Sequence, residues 1–346
     1  MNFAKTELAA VMQATKRLRF TDGLLTFDRQ TIDSAGAFLI GELERLDPRL
    51  HEPLASVTWT RDIDLREDVS IADEFSAFTN SSFAAANGVQ GSGKAWVGKD
   101  ASAITGISLD IGKTTSPLGL WAMQLGWTIP ELESALKLGR PIDQQKFAGM
   151  QLKYQMDIDE QVYIGDTALG LTGLINATAV TNNTNVVTGA WTGGTTTPAQ
   201  ILADVNELLN SVWAASGFAV CPDSLLLPPL QYGYLVSNIV SSAGNISILE
   251  FLRQNSLSNS VNGRPLSVQP LKWLTGTTRS GVGPGSSGKD RIAAYTKDPM
   301  RVRFPLVPLQ RTPNEFRDLR QLTTYYGRLG AVEVVYPETI GYRDGV

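Results

Sequence analysis

Few residues in this chain have the type and spacing to do chemistry. Gly88, Gly93 and Lys94 match G-x-x-x-x-G-K, a loop whose backbone N–H groups and lysine cradle phosphates. The next residue is Ala95, where that loop needs Ser or Thr to hold magnesium. Phe83 to Asn87 does not read as a buried strand, and Ala95 to Asp100 opens no helix. A loop tip accounts for the stretch better than a nucleotide site. Asp157, Asp159, Glu160 and Asp166 form a second group, with hard oxygen ligands suited to a cation. At helical spacing, residues 157, 159 and 160 project to different faces, so the group is assigned to the end of a helix. A single histidine, His51, argues against His-based zinc sites and Ser-His-Asp triads. A single cysteine, Cys221, excludes an intrachain disulfide and a cysteine metal cluster. No catalytic residue, cofactor or metal is assigned, and the chain is read as no enzyme.

Composition bounds the rest. The 346 residues are 42% hydrophobic and 18% charged, ordinary values for a folded protein. A net charge of −4 makes the chain as a whole no general nucleic-acid binder. The N-terminal twenty residues lack the apolar core of a signal peptide. No run approaches the ~20 apolar residues of a membrane span.

The strongest element signal lies at Thr128–Asn176. Thr128 and Glu131 have capping-box spacing, and Pro130 sits in the first turn. Gly139 and Pro141 interrupt this short helix. A longer one follows, from Ile142 to about Ile164, with Phe147, Met150, Tyr154, Ile158 and Val162 on one face. Gln144, Gln145, Lys153 and Asp159 are expected on the opposite, polar face. The glycine-rich run Gly165–Asn176 leaves it.

Before this spine, residues 1–20 hold Lys5, Lys16, Arg17 and Arg19 against Glu7. They read as a solvated amphipathic helix, or as an arm that lies on a neighbouring subunit or faces an acidic interior. A second amphipathic helix is expected from Thr31 to Leu46. The alternation in Val57–Asp68 predicts a strand, and Ile104–Ile111 a second. Together they suggest a long hairpin, marginal in water on its own and so held by another chain. Its stem is acidic, with six Asp or Glu between residues 61 and 74.

After the spine, the threonine-rich stretch 178–198 reads as a connection. Thr197-Pro198 then starts a helix with an apolar stripe at Ile201, Leu202, Val205, Leu208, Leu209 and Val212. Strand-like and helical runs alternate to about residue 300, around a loop at 275–289. The tail, 301–346, holds seven arginines and no lysine. Such arginines suit bidentate pairing with carboxylates at interfaces, or ordinary surface ion pairs.

Three blocks carry a family resemblance: Asp157–Asn176, Pro222–Leu235, and Arg291–Tyr342. In this order the chain resembles the major capsid proteins of tailed bacteriophages, which have the Hong Kong 97-type fold. The resemblance implies an α+β fold with five parts. These are an N-terminal arm (1–52), an extended loop with flanking strands (53–126) and a spine helix with the peripheral domain (127–197). An axial domain (198–300) and return strands of the peripheral domain (301–346) complete it.

The implied function is self-assembly, as hexamers and pentamers, into an icosahedral shell around double-stranded DNA. The implied partners are other copies of the chain, a portal protein, packaged DNA, and a decoration or cementing protein; no membrane is involved. A scaffold would be a separate protein. The virion capsid would be its place, after assembly in the host cytoplasm. On this reading the acidic stem (Asp62, Asp64, Glu67, Asp68) would meet Arg301, Arg303, Arg317 or Arg320 of an adjacent subunit. Lys16, Arg17 and Arg19 would face the interior. Some relatives join a loop lysine to a neighbour's asparagine. Lys94 and Lys99 lie in the loop, but no acceptor matches, so that chemistry is not assigned. An encapsulin-type compartment, an enzyme of unknown type and a fibre or adhesin are the competing readings. The strong helices argue against the fibre.

Overall fold

The computed structural model describes residues 56–85, 99, 106–138, 142–166, 168–180, 182–183, 189–193, 196–241, 245–276 and 289–346. They belong to one compact unit, Leu54–Val346. The expected arm (Lys16, Arg17, Arg19), the helix at Thr31–Leu46 and the phosphate-loop match at 88–94 lie outside the described residues.

In chain order the elements begin with a helical turn α1 (Trp59–Asp62) and strand β1 (Asp64–Arg66). Strands β2 (Phe75–Ala85), β3 (Ile107–Pro117) and β4 (Gly119–Thr128) follow, then α2 (Ile129–Leu138) and α3 (Ile142–Tyr163). Next come β5 (Asn182–Asn183), α4 (Pro198–Ala215), β6 (Ser224–Leu227), α5 (Pro229–Ser237), α6 (Ile248–Asn255), α7 (Leu257–Asn262) and β7 (Ser267–Pro270). The last six strands are β8 (Arg291–Tyr295), β9 (Val302–Arg311), β10 (Glu315–Arg317), β11 (Arg320–Leu329), β12 (Glu333–Val334) and β13 (Ile340–Asp344).

Local chemistry sets the spine. The Thr128–Glu131 capping box forms, with Glu131 N–H donating to Thr128 Oγ1 (3.3 Å) and Thr128 N–H to Glu131 Oε2 (3.4 Å). It satisfies two of the N–H groups that a helix start leaves open. Helix α3 has 22 residues, about 33 Å of rise. Its Met150, Tyr154, Ile158 and Val162 are buried, as the spacing predicts. The polar-face assignment fails at Asp159, which is fully buried. Four donors from outside the helix converge on it, so its placement follows tertiary partners and not helical period.

The helix exit is also built by contact. Gly165 takes φ +78°, and the chain doubles back so that 173–175 bond to the last helical turn. Gly173 N–H donates to Ile164 O (3.1 Å), Leu174 N–H to Val162 O (2.8 Å), and Asn176 Nδ2 to Ile164 O (2.7 Å). These bonds satisfy carbonyls that a helix end leaves open.

One face of α3 lies on a six-stranded sheet ordered β1-β9-β11-β10, with β4 pairing β11 and β12 pairing β9. A five-stranded sheet, β5-β13-β8-β6-β7, carries α4 to α7 and a second core. Helix α4 starts on the Thr197–Gln200 capping box, and its predicted stripe is buried apart from the half-buried Leu202. Strand β13, from the tail 301–346, pairs with β8 and β5 inside the sheet built largely by 224–295. The tail therefore serves both sheets. Two expected strands also differ. Residues 59–62 form a helical turn and only 64–66 are extended, because Asp159 holds the N–H groups of Thr58 and Trp59. The hairpin is β2 with β3, while β4 belongs to the six-stranded sheet. No helix among the described residues is long and apolar enough to cross a membrane.

A Cβ built on Gly173 would lie 2.3 Å from the Tyr163 carbonyl carbon and oxygen. Gly173→Ala is therefore expected to destabilise the unassembled chain by at least about 2 kcal/mol. Chemical denaturation checks this; an unchanged midpoint would refute the close-packed exit.

Candidate subunit interface

A hairpin of eleven paired residues per strand, Phe75–Ala85 against Ile107–Pro117, makes a two-stranded sheet of its own. Alternation along β3 puts Ile107, Leu109 and Ile111 on one face, 74%, 53% and 62% exposed. Phe75, at the root of β2, is 62% exposed. Burying such a side chain stabilises by about 1.5–3 kcal/mol. Four left in water are a large unmet term for a folded unit that is itself stable by only about 5–15 kcal/mol.

The hairpin is fastened at its root. Glu333 on β12 is buried, and its carboxylate accepts from Arg66 Nη1 (3.0 Å) and Arg303 Nε (2.7 Å). Ser76 on β2 donates to the same carboxylate. Arg66 Nη1 also donates to Ala77 O (3.0 Å). One carboxylate thus joins β1, β2 and β9. Arg66 holds a second acid, Asp68 (2.6 Å), whose carboxyl its hydrogen bond lowers below the usual range.

A second buried acid ties three regions together. Asp159 on α3 accepts from Thr58 N–H (2.8 Å), Trp59 N–H (3.2 Å) and Trp273 Nε1 (2.7 Å), with Lys272 Nζ at 3.1 Å. Beside it, Asp62 is buried and accepts from Arg61 Nε (2.6 Å) and Tyr163 Oη (2.5 Å). Burial first, and then the Asp62 charge, raises the Tyr163 phenol far above its ordinary value, so it stays a proton donor. Asp157 accepts from Trp121 Nε1 (3.0 Å) and Lys153 (2.5 Å). The acids near the end of α3 are structural acceptors, and no metal-binding group of His, Cys, Asp or Glu occurs among the described residues.

The eight interface candidates divide accordingly. Asp62 is buried and bonded within its own chain, Asp68 pairs with Arg66, and half-buried Asp64 lies 3.7 Å from Lys297. Arg301 pairs with Asp298 (3.1 Å) and Arg303 with Glu333. Glu67, Arg317 and Arg320 are exposed and have no ion pair among the described residues. Arg317 and Arg320 face each other across β10 and β11, a like-charge pairing that costs stability unless an acid is supplied. Exposed Phe316 and Leu319 flank them. The sequence reading missed Glu333, Arg66 and Asp159 as anchors. The only signal was a run of tail arginines that would need acids.

A family model described as major capsid protein matches residues 93–346. The chain belongs to the major capsid protein family. It is similar to the capsid of Myoviridae phage XM1, with a TM-score of 0.70 at 17% identity, covering 94% of this chain and all of that one. The capsid of the native GTA particle matches with a TM-score of 0.56 at 12% identity, covering 92% and 99%. A Gordonia phage Cozz chain matches at 0.53 and 11%, covering 94% and 98%. No curated protein matches. The fold is the Hong Kong 97-type capsid fold.

Removing the Glu333 carboxylate leaves two arginines facing each other at the loop root. Glu333→Ala is expected to cost about 3 kcal/mol and to raise amide exchange across 75–85 and 107–117. Exchange unchanged in both strands would show that the root is held elsewhere.

Proposed function

We propose that this capsid protein assembles as hexamers and pentamers into an icosahedral shell enclosing double-stranded DNA. The observation that carries the reading is the extended loop: a hairpin with a row of exposed Ile107, Leu109 and Ile111 that the described residues leave uncovered. A second copy is the cover that a self-assembling family supplies. A loop from one subunit laid on the next is a heterologous contact, which closes into rings when the rotation permits. Many weak contacts then add through effective concentration. In this scheme the segment 53–126 reaches the neighbour, 127–197 and most of 301–346 form the peripheral body, and 198–300 gathers at capsomer centres. Glu67, Arg317 and Arg320, unpaired among the described residues, are the inter-subunit contacts. Lys16, Arg17 and Arg19 of the arm face the DNA, binding phosphates without sequence preference. A portal protein, a separate scaffold and a decoration protein complete the virion assembled in the host cytoplasm. The role is structural, with no catalytic step.

The test is electron microscopy of the purified protein, alone and with its neighbouring genes. Closed shells or capsomer rings are expected, and packaged DNA would separate a phage head from an encapsulin-type compartment holding protein cargo. A dispersed monomer under every condition would sink the shell reading. Charge reversal at both Arg317 and Arg320 is expected to weaken assembly, read by sedimentation; assembly at the wild-type protein concentration would remove these residues from the interface.

A further inference from the structure

Between helices α2 and α3 and the far end of the six-stranded sheet lies an open pocket of about 380 Å³. Its walls include the aromatic rings of Trp127, Phe147 and Tyr325, with Phe147 and Tyr325 5.4 Å apart. Arg311 is the one charged side chain in those walls; it is exposed and has no ion pair among the described residues. The indole N–H of Trp127 is buried without an acceptor among the described residues. A positive, aromatic pocket fits a segment that carries a carboxylate and an exposed ring.

The chain holds such a segment. Glu67–Phe75 forms an acidic turn in which Glu67, Asp73, Glu74 and Phe75 are exposed, with Glu74 directly preceding Phe75 in the chain. It cannot reach the pocket of its own chain. Leu118 N–H bonds to Glu74 O at the start of β4, whereas Trp127 lies near the end of that ten-residue strand. At ~3.4 Å per residue the two surfaces are about 30 Å apart, at opposite ends of β4. Surfaces at opposite ends of a molecule meet in a head-to-tail contact.

We infer that the Glu74–Phe75 corner of a second copy docks in the Trp127–Phe147–Tyr325 pocket, with Glu74 on Arg311. The inference rests on the shell reading and adds to it a specific lock at the loop root.

Two measurements test it on the full chain. Arg311→Glu is expected to raise the protein concentration needed for assembly at least about tenfold. Adding Glu74→Arg to that variant is expected to restore assembly. Circular dichroism of the unassembled variants controls for folding. Separately, Ala72→Cys chains mixed with Gln144→Cys chains, the one two residues before Glu74 and the other in the pocket wall, with buried Cys221 retained, should give mixed disulfide dimers from assembled material. Arg311→Glu assembling like wild type, or assembled mixtures without that dimer, would overturn the lock and leave the shell reading standing. Failure of the wild-type chain to assemble at all would strike the shell reading itself.

Discussion

One buried carboxylate sets the geometry of this capsid protein. Asp159 is fully buried on the spine helix, and a charge taken out of water is tolerated only when donors surround it. Its donors come from three places: the backbone at 58–59, the Trp273 indole and the Lys272 ammonium. The chain leading into the loop, the spine and the segment after β7 must therefore arrive together. Asp62 repeats the logic one turn away, with Tyr163 from the spine and Tyr295 Oη donating to its carbonyl at 2.7 Å. These bonds hold the chain leading into the hairpin against α3 and the five-stranded sheet.

The same principle governs the tail. Arg343 is fully buried on β13 and donates to Asp204 O (2.6 Å) and Glu207 Oε2 (2.9 Å) on α4. Arg291 and Asp344 form a buried pair across β8 and β13 (2.6 Å), and the guanidinium lies 4.8 Å from the Tyr342 ring. Arginine suits these sites because its planar fork is already shaped for a carboxylate and remains charged when buried. So several tail arginines, Arg303 and Arg343 among them, were spent on intrachain acids. Of the exposed ones, Arg317 and Arg320 lie where the hairpin of β10 and β11 turns back, and Arg311 lies at the end of β9.

What remains outside these networks is exposed apolar and charged surface. The loop carries apolar residues on a sheet only two strands wide, and the peripheral tip carries Phe316 and Leu319 beside two facing arginines. Firm internal fastening of the loop root by Glu333 and an uncovered blade beyond it are complementary. A rigid root presents the blade in one place, which lowers the ordering cost of each contact with a neighbour.

The sequence by itself determined the elements whose signals are local. The Thr128–Glu131 and Thr197–Gln200 spacings start helices because the bonding partners are three residues apart. The apolar faces of α3 and α4 were legible because burial of one side imposes the helical period, and the order of parts carried the family resemblance. Only the tertiary structure decided the fate of the charged residues. Asp159 sits on what the period marks as the polar face, and Asp62 sits in an acidic run that reads as exposed stem. Both are buried because their donors lie about a hundred residues away in the chain. Val57–Asp68 alternates like a strand yet starts with a helical turn, since Asp159 takes its N–H groups. Periodicity reports which faces shed water; which charge meets which donor is fixed by contacts that no short stretch of sequence contains.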